Sequence, residues 1–252
     1  MSPMETENNS TPIEVKHLSK SFGAQKVLNG IDLSVARGET LAVLGRSGTG
    51  KSVLLKLLIG LQKPDAGSIR IHGKEITGLD RKQLNEVRKT VGFLFQQAAL
   101  YDSMTVGQNV EFPLSRHTGL SADELKNRAR ELLASVGMDK DLEKMPSEIS
   151  GGMQKRVGLA RAIALEPGIV LFDEPTAGLD PITGAEIGQL ISQLKGKYQM
   201  ASIVVTHDIH GAKQFSDRVV MLNEGNILIE GTFADLEKSK DKFVAQFLSN
   251  AA

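Results

Sequence analysis

The chain has 252 residues, 40% of them hydrophobic, which suits one α/β domain or a large domain with a smaller lobe. Lys plus Arg and Asp plus Glu both total 30, so the formal net charge is zero, and the overall basic excess of a nucleic-acid binder is absent. There are no cysteines, which rules out disulfides, zinc–thiolate sites and a cysteine nucleophile.

Residues 1–11 are polar and read as a frayed tail, without the apolar stretch of a signal peptide. Ile13–Leu18 alternates apolar and polar residues as a half-buried strand does, and Val27–Val35 does so more loosely. Glu39–Leu44 is a short apolar strand followed by a glycine-rich turn, and Ser52–Leu61 reads as a core helix. Pro64–Gly67 is a turn, and Ser68–His72 closes a small β lobe. Val91–Phe95 is another strand, and Gln96 to about Leu120 reads as irregular. Ser121 and Glu124 then form a capping-box pattern; Leu125, Ala129, Leu132, Leu133 and Val136 follow at helical spacing until Gly137. A helix is expected from Ser150 to Leu165, a fully apolar strand over Ile169–Phe172, a helix over Ala185–Leu194 and a β-branched strand over Ser202–Thr206. Asp217–Leu222 and Asn226–Ile229 flank the turn Glu224-Gly225. Strands alternating with helices predict an α/β fold with a mainly parallel sheet covered on both faces. No apolar run approaches the ~18 residues of a membrane span. No internal repeat appears, so one unit is expected over residues 12–252, with a helical lobe over about 97–165.

Gly45-Arg46-Ser47-Gly48-Thr49-Gly50-Lys51-Ser52 fits G-x-x-x-x-G-K-[ST] at every fixed position, between a predicted strand and a predicted helix. Glycines let backbone N–H groups turn inward around phosphate oxygens, and the helix N-terminus adds its positive end. In such a loop Lys51 reaches the β and γ phosphates and the Ser52 hydroxyl ligates Mg²⁺. Ile169-Val170-Leu171-Phe172 runs into Asp173-Glu174, two acids at a strand's carboxyl end, where open α/β sheets bind ligands. There Asp173 can hold Mg²⁺ directly or through water, and Glu174 can serve as general base to the attacking water. His207 follows a strand in the same way, within reach of the γ-phosphate or the water.

Together these residues resemble the ABC ATPase family over about Ile13 to Leu248. Ser150-Gly151-Gly152-Met153 looks like the family signature, and Asp173-Glu174-Pro175-Thr176 with Ala177-Gly178-Leu179-Asp180 looks like its acidic strand end and the loop beyond. The resemblance implies that Gln96 is the coupling glutamine, with a place among the Mg²⁺ ligands, and His207 the switch histidine. It places Phe22 where an aromatic stacks on adenine; a core role for that ring is the alternative. It also implies the P-loop NTPase fold with an antiparallel β lobe and a helical lobe, ATP with Mg²⁺, and a head-to-tail homodimer. In that dimer, Ser150 to Gly152 of one copy would meet the γ-phosphate held by the other, with Asp180 nearby. Met153 and Arg46 depart from the usual Gln and Pro but touch none of the phosphate-binding residues.

Within the family, Phe95-Gln96-Gln97-Ala98-Ala99-Leu100, Met145–Met153, Ala162–Pro167 and Asp180-Pro181-Ile182-Thr183 resemble the Mla/Mce-type lipid-transport branch. That likeness implies phospholipid transport between inner and outer membranes, through a separate permease and an Mce-domain lipid-binding protein. The ATPase would then sit on the cytoplasmic side of the inner membrane, without touching lipid. Ala98–Leu114 is expected to dock on the permease. Some members carry a C-terminal extension around the dimer partner, and the sequence after Phe247-Leu248 reads as short of one. A related transporter of another cargo shares every catalytic expectation; the other alternative, a non-transport ABC protein, usually carries two ATPase units or a long coiled-coil insertion, and neither is seen in this sequence.

Overall fold

A computed structural model describes residues 11–249; of the expected tail, all but Thr11 lies outside the described residues. The elements run β1 (Ile13–Phe22), β2 (Gln25–Val35), β3 (Thr40–Leu44), α1 (Lys51–Leu58), β4 (Ala66–Ile71), β5 (Lys74–Glu75), α2 (Arg81–Lys89) and β6 (Val91–Leu94). They continue with α3 (Val106–His117), α4 (Ala122–Ser135), a 3₁₀ turn at Pro146–Glu148, α5 (Gly151–Ala162), β7 (Ile169–Asp173) and α6 (Pro181–Tyr198). The chain closes with β8 (Ala201–Thr206), α7 (Ile209–Phe215), β9 (Arg218–Asn223), β10 (Asn226–Gly231), α8 (Phe233–Glu237) and α9 (Lys242–Ser249).

Two sheets organise these elements. The first is antiparallel, in the order β2-β1-β4-β5. The second has the order β10-β9-β3-β8-β7-β6; every pair is parallel except β9–β10, which a turn at Glu224-Gly225 joins directly. Its central strands are apolar on both sides, because both faces are covered. Ala42, Leu44, Val170, Phe172 and Val204 face a core shared with α5, α6 and α7. Their neighbours Leu41, Val43, Leu171, Ile203 and Val205 face a second core with α1 and the antiparallel sheet. The strict period of two thus splits one sheet between two cores.

The structure corrects the sequence reading in three places. The segment expected to be irregular contains α3, which a capping box starts: the Thr105 hydroxyl accepts from Gln108 N and the Gln108 side chain accepts from Thr105 N. Pro113 lies inside this helix and hid it. Asn109, fully buried, holds the preceding loop by donating to the carbonyls of Tyr101, Met104 and Thr105 and accepting from Tyr101 N. Helix α2 also escaped, because Leu84 and Val87 are its only large apolar residues; Asp80 and Gln83 cap it. Helix α6 starts four residues earlier than expected, at Pro181, where the ring's missing N–H costs nothing.

α5 packs so closely on β6 that a Cβ at Gly92 would lie 2.3 Å from the Ala162 carbonyl oxygen. Gly92→Ala is therefore expected to destabilise the fold by about 1–3 kcal/mol, read as a lower urea midpoint. Gly196→Ala, in α6 with nothing within 4 Å, should instead raise stability by about 0.5–1 kcal/mol. Unchanged stability in the first variant would show that the β6–α5 contact can yield.

Candidate nucleotide site

The carboxyl ends of β3, β6, β7 and β8 lie along one edge of the parallel sheet and carry Gly45, Gln96, Asp173-Glu174 and His207 into the following loops. Because β8 lies between β3 and β7, His207 emerges between the glycine-rich loop and the acidic pair.

The loop Gly45–Gly50 turns into α1 through Gly50, whose φ of 101° only glycine adopts freely. Arg46, Ser47 and Gly48 are exposed, and Thr49 folds back so that its hydroxyl donates to the Arg46 carbonyl at 2.9 Å. Lys51 is 6% exposed; its Nζ donates to the Gly45 and Arg46 carbonyls at 2.7 and 3.1 Å and lies 3.8 Å from Glu174 Oε1. Burial lowers its pKa, and Glu174 and Asp173 oppose that shift. Ser52 Oγ donates to Asp173 Oδ1 at 2.9 Å. Burial raises the Asp173 pKa, against the Ser52 hydrogen bond. A hydroxyl and a carboxylate oxygen brought together are the hard donors Mg²⁺ prefers, and phosphate oxygens and water complete such a shell. The donor set therefore fits the ion. Among the described residues no group of three or more His, Asp or Glu forms an all-protein cage.

Glu174 is buried, with φ at +47°, a region most side chains avoid. Its backbone N–H donates to the Val205 carbonyl at 2.9 Å. Its Oε2 accepts from Thr206 Oγ1 at 3.0 Å and lies 2.9 Å from His207 Nδ1. Where Nδ1 carries the hydrogen it donates to Glu174, and Nε2 is then the accepting nitrogen of a half-exposed ring.

The structure adds a residue that the sequence did not single out. Lys155 of α5, 4% exposed, donates to the carbonyls of Glu174, at 3.1 Å, and Gln96. Burial lowers its pKa to about 8, against Asp173 and Glu174. A lysine one turn into a helix reads as solvent-exposed, and nothing in its spacing marks it otherwise. The Gln96 side chain is exposed.

Other expected residues lie apart from this cluster. Phe22 is 46% exposed, which removes the core alternative, and its ring lies 5.4 Å from Lys20 Nζ. Ser150 caps α5 by accepting from Met153 N at 3.3 Å. Gly151 faces Leu179, and a Cβ on Gly152 would meet Thr183 at 2.5 Å. Asp180 caps α6, accepting from the N–H groups of Ile182 and Thr183 and from the Thr183 hydroxyl, which hold its pKa low. Among the described residues, none of these four has a hydrogen bond to the Gly45–Ser52 loop of its own chain. The Arg46 guanidinium lies 5.1 Å over the Phe243 ring of α9, which ties the loop's variable position to the last helix.

Comparison with known proteins agrees with this geometry. A family model described as ABC transporter matches residues 28–177. The probable ribonucleotide transport ATP-binding protein mkl of Mycobacterium tuberculosis is 44% identical over 237 residues, which is 94% of this chain and 66% of that protein. The methionine import ATP-binding protein MetN of Brucella abortus is 42% identical over 223 residues, 88% of this chain and 60% of that protein. The chain thus spans about two thirds or less of the length of these relatives. A dimeric structure of an ATP-binding cassette in a post-hydrolysis state, bound to ADP and Pi, superposes with a TM-score of 0.81 at 34% identity, over 87% of this chain and 98% of the other.

Fold and site together define an ABC ATPase cassette, a class whose ligands are ATP and Mg²⁺. The chain belongs to the ABC transporter family.

The Lys51 ammonium lies in the mouth of the loop. Lys51→Met is expected to weaken ATP binding about ten- to a hundredfold, the weight of one charge-assisted hydrogen bond or two. Titration with a fluorescent ATP analogue checks this, and unchanged affinity would remove Lys51 from the phosphate site.

Proposed function

We propose that the chain is the ATP-hydrolysing subunit of an ABC transporter, working as a head-to-tail homodimer under a separate permease. The observation that carries the hydrolytic reading is the placement of Glu174. Its carboxylate is fixed by Thr206 and His207 and lies 3.8 Å from Lys51 Nζ, at the end of the phosphate loop. Water attacks the γ-phosphorus in line, the bond to the bridging oxygen of ADP breaks, and phosphate leaves. Glu174 orients the water and accepts its proton. Lys51 and the loop N–H groups hold the β and γ phosphates, and His207 is assigned to the γ-phosphate or the attacking water. Mg²⁺, held by Ser52 and Asp173 with Gln96 alongside, would neutralise phosphate charge. Phe22, exposed at the end of β1, stacks on adenine.

The head-to-tail dimer follows from what the chain leaves apart. Ser150 and Gly151 form an exposed helix N-terminus, suited to an anion, with Gly152 buried behind them against Thr183. A second copy brings that end to the γ-phosphate and Asp180 to the dimer seam. The related cassette bound to ADP and Pi is described as dimeric, which supports this reading.

Docking to a permease has its own support. A groove of about 710 Å³ lies between β6 and the helices, lined by Phe93, Phe95, Ala99, Tyr101, Phe112 and Arg161 among others. Phe95 and Tyr101 are 38% and 45% exposed, and the groove adjoins Gln96. Ala99, Tyr101, Phe112 and Pro113 of the expected docking run, Ala98–Leu114, line it, together with Phe93 of β6 and Phe95 just beyond it. No helix among the described residues is long and apolar enough to cross a membrane; we assign the spanning to a separate permease and place this chain at the cytoplasmic side of the inner membrane on the family likeness. For cargo we propose phospholipid, delivered with an Mce-domain protein, on the motif likeness of Phe95–Leu100 and Met145–Met153. The curated relatives are named for ribonucleotide and methionine transport, and import of a small polar solute is the second reading.

Glu174→Gln should keep ATP affinity and lower turnover at least about a hundredfold, the loss expected for a general base. A phosphate-release assay measures it, and undiminished turnover would take the base role from Glu174. Tyr101→Glu, which puts a charge in the groove, should abolish co-purification of the permease from detergent-solubilised membranes while ATP binding persists. In the same pull-down of the unaltered chain, an Mce-domain protein with bound phospholipid supports the lipid reading; a solute-binding protein in its place supports the second.

A further inference from the structure

We infer that Lys155 is a positioning residue: from the signature helix it fixes, by hydrogen bonds to two backbone carbonyls, both the Gln96 segment and the Glu174 turn. The inference rests on Glu174 acting as the base.

An ammonium carries three donors and turns them freely about its stem, so it can serve two carbonyls from different strands at once. Lys155 Nζ does this with the carbonyls that follow β6 and β7, at Gln96 and Glu174. At 4% exposure, water does not compete for those bonds. Asp173 and Glu174 supply the negative charge that keeps a buried ammonium tolerable.

The two segments it ties are the ones that need tying. Glu174 has φ of +47°, and Ala98 and Ala99, just after Gln96, have φ of +57° and +49°. Non-glycine residues persist in that region only where their surroundings over-determine them. The same helix supplies the rest of the restraint. Arg161, six residues on, donates to the Ala98 and Ala99 carbonyls at 2.5 and 2.8 Å. Between the two cations, Gly158 lets α5 ride on this segment, for a Cβ there would lie 2.7 Å from Leu94 and 3.2 Å from Ala98. α5 therefore grips the 96–99 segment at three points, and Lys155 alone extends the grip to Glu174.

Ser150 to Gly152 begin this same helix. A shift of α5, whether started by nucleotide at its N-terminus or by a partner in the groove that Arg161 lines, reaches the Glu174 backbone through one hydrogen bond. Lys155 thus converts helix position into the aim of the carboxylate, without touching substrate.

The test compares Lys155→Met, Lys155→Arg and Glu174→Gln in the full chain. Lys155→Met should lower kcat about tenfold or more while KM and analogue affinity stay within about threefold, and amide exchange should rise about tenfold over residues 96–99 and at Glu174 and Thr176. Lys155→Arg, which keeps the donors, should recover at least about a third of the lost turnover. Glu174→Gln should lose turnover with exchange over 96–99 unchanged. If Lys155→Met does not fold, Lys155→Gln, neutral and shorter, takes its place with the same expectations. Unchanged kcat and exchange in the neutral variant would overturn the assignment, as would a fall in nucleotide affinity as large as the fall in kcat. If Glu174→Gln turns over normally, the base role fails, and the exchange measurement still decides whether Lys155 holds the two segments.

Discussion

Two buried lysines meet the acidic turn that ends β7, Lys51 at the Glu174 side chain and Lys155 at its backbone, and much of the site follows from that charge balance. Asp173, with Glu174 beside it, lies where burial disfavours its charge, and each lysine lies where burial disfavours its own. Neither pair of groups is tolerable there without the other. The consequence is an ordered site: the cations are held by loop carbonyls, and the carboxylates by Ser52, Thr206 and His207. On the proposed mechanism, a phosphate chain entering this site would meet an ammonium already in place and a carboxylate already fixed beside it.

The sheet order makes this meeting possible. β3 and β7 are separated by β8, so the loop and the acidic pair face one another across the end of a third strand. Residues from that strand, Thr206 and His207, fill the gap and fix Glu174. If β3 and β7 were neighbours, no side chain could stand between loop and base. The two cores serve the same end. One face of the sheet seats α1 behind the phosphate loop; the other seats α5, which brings Lys155 under the turn.

The parts legible in the sequence were those whose chemistry is local. Gly45–Ser52 is a contiguous motif, and Asp173, Glu174 and His207 each follow an apolar strand closely enough to be placed at its end. The strands themselves were legible from apolar runs, and α4 from its capping box and period. Pro113 concealed α3, and two apolar residues were too few to reveal α2. Lys155 was invisible for a different reason: its partners are backbone carbonyls 59 and 19 residues away, and a carbonyl leaves no letter in the sequence. Asn109, the buried anchor of the loop before α3, escaped in the same way. Phe22 was ambiguous until exposure decided between core and surface.

Cargo choice is a separate problem from hydrolysis, and the structure shows why the two separate. In the proposed mechanism the residues around Glu174 read phosphate and water, and chemistry of that kind is indifferent to what crosses a membrane. Relatives named for ribonucleotide and for methionine transport stand at nearly equal identity to this chain, 44% and 42%. Cargo identity is therefore not written in the shared cassette. The surface that can differ without harm to hydrolysis is the groove holding Phe95, Tyr101 and Phe112, where side chains are exposed and no catalytic group is displaced by changing them. Its floor still answers to the site through Arg161 and the Ala98–Ala99 carbonyls. On the proposed docking, changes in this lining above the same floor would let such a cassette serve different permeases while keeping one mechanism.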